Sequence, residues 1–99
     1  MTLFEKKIFQ TARKIPKGKV ATYKTVAIKA GRAKSWRAVG NTLNKNNDPK
    51  IPCHRIIRNN GKVGGYNKGM EVKLKKLKRE GVKIDRSGRI DLKKFLFKL

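Results

Sequence analysis

Thr22-Tyr23-Lys24-Thr25-Val26-Ala27-Ile28-Lys29-Ala30-Gly31 and, after the short turn Arg32-Ala33-Lys34, Ser35-Trp36-Arg37-Ala38-Val39-Gly40-Asn41-Thr42-Leu43-Asn44-Lys45 form the stretch that decides the fold. Thr22 is a good N-cap for a helix over residues 23–30, and Gly31 supplies the left-handed residue that ends it. A second helix runs from about Ser35 to Lys45, with Val39 and Leu43 four apart on its inner face. Two short helices joined by a turn containing glycine read as helix-turn-helix.

Working outward, Leu3, Phe4, Ile8, Phe9 and Ala12 recur at helical spacing behind a Thr2 cap, and Pro16 and Gly18 stop that helix. On the other side, the polar loop Asn44–Pro49 leads into an apolar run, Ile51–Ile57, interrupted by Pro52-Cys53-His54-Arg55. Asn59-Asn60-Gly61 and Gly64-Gly65 punctuate a turn-rich stretch around Val63 and Tyr66. Helical spacing returns over Met70–Arg79 through Val72, Leu74 and Leu77, and Gly81 ends it. Val82–Ile84 and Arg89–Leu92 flank Asp85-Arg86-Ser87-Gly88 as a hairpin, and Phe95-Leu96-Phe97 pack back on the core. The expected fold is mostly α with a short β-hairpin, a winged-helix-like helix-turn-helix in one domain over residues 1–99.

Composition limits what such a domain does. With 28 Lys and Arg against 6 acids, the net charge is +22 on 99 residues. Residues 6–47 carry twelve of those cations and no acid, so the N-terminal half is the face expected to meet a polyanion. Nucleic acid is the first partner to infer. No run approaches the ~20 apolar residues of a membrane span. No secretory signal is visible, and one cysteine cannot form an internal disulfide; both point to a reducing, cytoplasmic setting.

Cys53 and His54 are the one soft nucleophile and the one imidazole of the chain. They are too few for a structural zinc site, which wants four ligands, so no metal is expected. A thiol attacks as thiolate, and a nearby base or cation raises the thiolate fraction. On an extended strand the two side chains would point apart, so cooperation needs a turn or a bridging water. Otherwise Cys53 is an inert core residue and His54 a structural one.

Five segments in order resemble the C-terminal domain of the 6-O-alkylguanine-DNA alkyltransferase family. Ile51-Pro52-Cys53-His54-Arg55-Ile56-Ile57 is similar to its active-site signature, and Gly18-Lys19-Val20-Ala21-Thr22-Tyr23 to the segment with its phosphate-contacting tyrosine. Arg37-Ala38-Val39-Gly40 resembles the start of its recognition helix, Gly61–Tyr66 its binding loop, and Lys78-Arg79-Glu80-Gly81 the helix end with its glutamate. The resemblance covers about residues 3–81.

That resemblance implies repair of duplex DNA by irreversible transfer of an alkyl group from the 6-O position of guanine to Cys53, and it leaves open 4-O of thymine as a second position. No cofactor is needed and the protein acts as a monomer. By the same resemblance Glu80 orients His54, which takes the thiol proton through a water, and Tyr23 donates to the guanine ring. Asn46 braces the active-site turn, with Asn47 as its rival. Pro52, the Cys53 and Ile56 carbonyls and the Asn67 amide meet the flipped base, while Tyr66 walls the alkyl pocket. Arg37 fills the space the base vacates, Ala38 and Gly40 allow close approach to the minor groove, and Asn41, Lys45 and Arg55 join Tyr23 in contacting DNA.

The sequence departs from the family in having no room for an N-terminal domain, in a loop before Cys53 one residue short, in Trp36 where a small residue is usual, and in Lys68 where glycine is frequent. Two other readings stand beside the favoured one. One is an alkyltransferase-like protein that binds alkylated DNA without repair, although such proteins replace the acceptor cysteine. The other is a plain basic helix-turn-helix or DNA-coating protein, which leaves Pro52–Arg55 and Glu80 without a purpose.

Overall fold

A computed structural model describes all 99 residues, Met1–Leu99. Thr2 opens helix α1 (Leu3–Arg13) with a capping box: its Oγ1 accepts from the Glu5 N–H at 3.1 Å, and the Glu5 carboxylate accepts from the Thr2 N–H at 3.0 Å. Thr22 repeats the device with Thr25 at the head of α2 (Tyr23–Lys29), and Gly31, at φ 97°, ends that helix. Helix α3 (Trp36–Asn44) has no side-chain cap and is held by its inner face, where Val39, Thr42 and Leu43 are buried. These three helices pack on one another around Ile8, Ala12, Val26, Ala27, Val39 and Leu43. The helix-turn-helix read from the sequence is thus present, its second helix shorter by a residue at each end.

The sheet is not the one expected. Strand β1 (Ala21–Thr22) pairs in parallel with β2 (Ile56–Ile57), Ala21 opposite Ile56 and Thr22 opposite Ile57. Side chains alternate along a strand, so Ala21 and Ile56 enter the three-helix core. Val20 and Ile57 enter a second one with Val63, Leu77, Val82, Ile90 and Phe95. The pair is a partition between two small cores. The expected hairpin shrinks to a single antiparallel bridge, Ile84 with Ile90, because residues 88–90 bond instead to the 61–63 stretch: the Ile90 N–H donates to the Gly61 carbonyl and the Val63 N–H to the Gly88 carbonyl.

Helix α4 (Met70–Arg79) has the expected bounds but a different inner face. Val72 is 39% exposed, whereas Lys73 joins Leu77 in full burial. The short α5 (Leu92–Phe95) is capped by Asp91, and Phe95 is buried as expected. Beyond it the chain pairs with Val20, whose N–H donates to the Phe95 carbonyl and whose carbonyl accepts from the Phe97 N–H. No helix is long and apolar enough to cross a membrane.

Candidate active site

Pro52 sets the site. Its φ of −82° and ψ of 64° describe an inverse γ-turn, closed by the Cys53 N–H donating to the Ile51 carbonyl at 2.9 Å. A single 3-10 turn, Cys53–Arg55, follows and runs directly into β2. The turn that cooperation between Cys53 and His54 requires is therefore built by the proline and the strand behind it. Cys53 and His54 are each 8% exposed.

Asn46 occupies the bracing position. Its Nδ2 donates to the Cys53 sulfur at 3.1 Å and to the Asp48 carbonyl, and its Oδ1 accepts from the Asp48 N–H at 2.9 Å. Burial pushes the Cys53 thiol above its ordinary pKa, and the Asn46 donor and the cationic Lys73 and Lys68 only partly offset this. At rest the sulfur is a protonated thiol, so the thiolate must be made when a substrate arrives.

His54 Nε2 lies 3.0 Å from Glu80 Oε2. Burial holds the imidazole below its ordinary pKa, with the Glu80 contact opposing, so it is neutral at pH 7 and able to accept a proton. Burial alone would raise the Glu80 carboxyl, but hydrogen bonds from Arg55 and His54 win and lower it. Arg55, expected on DNA, faces inward instead. Its Nε and Nη2 donate to the two Glu80 oxygens at 2.9 and 2.8 Å, and its Nη1 donates to the Ile15 carbonyl at 2.9 Å. Residues 55 and 56 continue the turn into a central strand, which aims the guanidinium at the interior.

A cavity of about 30 Å³ adjoins both Cys53 and His54, with Asn46, Tyr66 and Asn67 also on its wall. That is room for a water or two, the bridge a proton relay uses, and far less than a purine. Tyr66 is held by Lys76, whose Nζ donates to the phenol oxygen at 3.2 Å and sits 5.5 Å from the ring centroid. The Asn67 side chain donates to the Asn44 and Asn46 carbonyls, stitching the binding loop to the end of α3. Entry of a base requires this loop to shift.

Ile56, expected to read the base through its carbonyl, is fully buried, and that carbonyl accepts from Lys73 Nζ at 2.8 Å. Lys73 also donates to the Gly65 carbonyl at 2.9 Å, tying β2 to the binding loop. The sequence reading missed this residue. Its one signal, a place four residues before Leu77 on the inner face, does not stand out among 28 cations.

Burial lowers the Lys73 pKa to about 8, from an ordinary 10.5, with negative charge on Cys53 opposing. Between those two values the unfolded chain binds more protons than the folded one. The Lys73 contribution to stability therefore rises with pH across the window, by roughly 3 kcal/mol in all. Thermal melts of wild type and Lys73→Met from pH 7 to 10.5 should show a difference that moves in favour of wild type above pH 8. A constant difference would mean that the ammonium is not desolvated.

The outer residues of α3 form a separate group. Arg37, Asn41 and Lys45 follow one another at four-residue intervals and are exposed, while Ala38 and Gly40 are half-buried between them and the core. The Arg37 guanidinium stacks on Trp36, 5.3 Å from the ring centroid. The Tyr23 ring lies against Gly40, where a Cβ would sit 3.8 Å from its Cε1. Tyr23, Trp36, Arg58, Asn59 and Asn60 enclose a cleft of about 250 Å³. Burial, and next the nearby Cys53 charge, raises the Tyr23 phenol, which stays a hydrogen-bond donor. Tyr23 thus packs between Gly40 of α3 and the core cluster that includes Cys53.

A basic helix-turn-helix carrying a buried cysteine, a histidine and a paired carboxylate defines a class of DNA-binding domain with thiol chemistry in reach. Residues 3–82 match the family model for the 6-O-methylguanine DNA methyltransferase DNA-binding domain, a span that includes Cys53, His54 and Glu80. The chain is 40% identical over 91 residues to a bifunctional methyltransferase/endonuclease of Picrophilus torridus, covering 91% of this chain and 30% of that one. It is 49% identical over 82 residues to a methylated-DNA–protein-cysteine methyltransferase of Saccharolobus solfataricus, covering 82% and 52%. The chain thus spans about half or less of the length of these curated relatives. Among solved structures, S. pombe Atl1 in complex with DNA containing O6-carboxymethylguanine superposes with a TM-score of 0.88 at 26% identity, covering 100% of this chain and 98% of that one. The protein belongs to the 6-O-methylguanine DNA methyltransferase family through its DNA-binding domain.

Proposed function

We propose that this protein repairs alkylated DNA in a single turnover, taking an alkyl group from the 6-O position of guanine onto Cys53. The observation that carries the reading is a braced thiol and a neutral imidazole on the wall of one water-sized cavity, with a carboxylate bonded to the imidazole. The target atom lies inside the duplex, so the base leaves the stack, at a cost of a few kcal/mol that is smallest for a weakened pair. Arg37 moves from Trp36 into the vacated space, and the small Ala38 and Gly40 let α3 approach the minor groove.

The chemical step is a displacement at carbon. The thiol proton passes through water to His54, the S–C bond forms as the C–O bond breaks, and the electron pair moves to the purine. The Tyr23 hydroxyl hydrogen-bonds to the ring as charge develops, and the purine takes up a proton from solvent while His54 returns the thiol proton to solvent, so no proton is gained or lost overall. Guanine and a thioether result, and the thioether has no leaving group that water can displace. A reaction that consumes a free thiol suits a reducing compartment, the cytoplasm.

The measurement is intact-protein mass after mixing with duplex DNA containing 6-O-methylguanine. One methyl group per protein is expected on the wild type, with none on Cys53→Ser. An unchanged wild-type mass would overturn the reading in favour of a protein that binds alkylated DNA without repair. The full-length likeness to Atl1 is the specific observation on that side, and the presence of Cys53 is the one against it.

A further inference from the structure

We propose that residues 83–99, beyond the span of the family match, form a second DNA-contacting surface that holds the phosphates of the duplex flanking the lesion. The proposal rests on the DNA-binding reading above and extends it to a part of the chain that reading does not use. The segment carries six cations, Lys83, Arg86, Arg89, Lys93, Lys94 and Lys98, against two acids, Asp85 and Asp91. Both acids are occupied within the segment, Asp85 by the N–H groups of Ser87 and Arg89 and Asp91 by the N–H of Lys93. None of the six cations forms an ion pair.

Four of them converge. Lys83, Arg89, Lys93 and Lys94 line a single cleft of about 590 Å³, open to solvent; Asp85 and Asp91 line it too, each held by the backbone hydrogen bonds above, which leaves four cations against two acids. Asn60 lines this cleft and also the smaller one with Tyr23 and Trp36, so the two meet at the 58–62 turn. The route from the recognition helix to the C-terminal segment is therefore continuous and basic, with Arg58 in between. Its backbone is firmly anchored at both ends. Asn59 Oδ1 accepts from the Lys24 N–H on α2 at 2.9 Å, and the Gly61 carbonyl accepts from the Ile90 N–H at 2.8 Å. Gly61 sits at φ 90°, and a Cβ there would lie 2.9 Å from the Ile90 carbonyl, so the turn is pressed directly on the C-terminal segment.

The bridge between the turn and that segment sets Lys62 opposite Arg89. Like charges directly across a bridge are unfavourable in the free protein. A phosphate between or above them removes the repulsion, and a duplex running past Tyr23 supplies phosphates at regular spacing. The longest dimension of the molecule is 37 Å, about eleven base pairs at 3.4 Å each, long enough for α3 and the C-terminal cleft to touch one duplex at separate places.

The test uses the full chain and a 25-base-pair duplex with one central 6-O-methylguanine, titrated from low to high salt. The triple variant Lys83→Ala, Arg89→Ala, Lys93→Ala is compared with wild type and with Lys75→Ala, Lys78→Ala, Arg79→Ala, which removes the same charge from exposed positions on α4 outside both clefts. Each lost phosphate contact makes the log–log salt slope shallower by about 0.9, so the first variant is expected to lose close to 2.7 and the second far less. Equal slopes for all three proteins, or equal losses in the two variants, would overturn the proposal. Melting temperatures guard against misfolding, and a single-variant Arg89→Ala, expected to lose about 0.9, gives the same answer if the triple variant is unstable. Failure of the alkyl-acceptor reading would appear separately, in the mass of the wild-type protein.

Discussion

His54→Ala is expected to slow single-turnover alkyl transfer by about 10²–10⁴-fold, the usual worth of a positioned base, while leaving affinity for duplex DNA close to wild type. The imidazole is buried beside the thiol cavity and touches Glu80, not the exposed face of α3. The Cys53 thiol is harder to ionise than a free one, so transfer depends on a proton acceptor at the moment of attack. Glu80→Gln keeps the shape but removes the charge that favours imidazolium, and should reproduce part of the loss. Because the residues act in one chain of contacts, the double variant should cost less than the sum of the singles. The wild-type rate should also fall on acidification through a pKa below 6.5, where His54 becomes charged and can no longer accept. Strictly additive losses, or an acid limb unchanged by Glu80→Gln, would remove the relay and leave Cys53 as a bare acceptor.

Arg55→Ala is expected to destabilise the fold by about 3–5 kcal/mol, the cost of leaving a buried charge without its partner. The Arg55 and Glu80 side chains are 16% and 10% exposed, and the guanidinium binds both carboxylate oxygens. It also ties the Ile15 carbonyl, after α1, to the active-site turn. For a domain of this size the melting temperature should fall by more than ~10 °C. Lysine cannot span both oxygens and the carbonyl, so Arg55→Lys should recover only part of the loss.

The pH dependence has a definite sign. The folded pKa of Glu80 is lowered, so its contribution is present above its ordinary 4.5 and is lost as pH falls through the folded value. His54 adds to this. Its folded pKa lies below 6.5, so the unfolded chain binds more protons in that window and stability drops there too. Without Arg55 the Glu80 carboxyl moves up, and acid unfolding should begin at higher pH. A wild-type melting curve for Arg55→Ala together with weakened DNA binding would return Arg55 to the DNA face.

Much of this was legible in the sequence, and for local reasons. Caps such as Thr2 and Thr22, the Gly31 stop, and the Val39–Leu43 spacing act within a few residues, so α1 to α3 and most of α4 follow from neighbours alone. The charge of +22 and the single thiol are likewise properties of composition, which no folding alters. Contacts between distant segments were decided only in three dimensions. The parallel pairing of Ala21 with Ile56 joins residues 35 apart and has no turn to announce it, whereas the visible turn at Asp85–Gly88 makes only one bridge. Arginine and lysine look alike in a chain so rich in both. Arg55 and Lys73 were drawn inside because each satisfies buried acceptors from distant segments, both oxygens of the Glu80 carboxylate in one case and a strand and a loop carbonyl in the other. The order of residues thus settled which chemistry the protein carries, and packing settled which of its cations face inward to hold that chemistry in place.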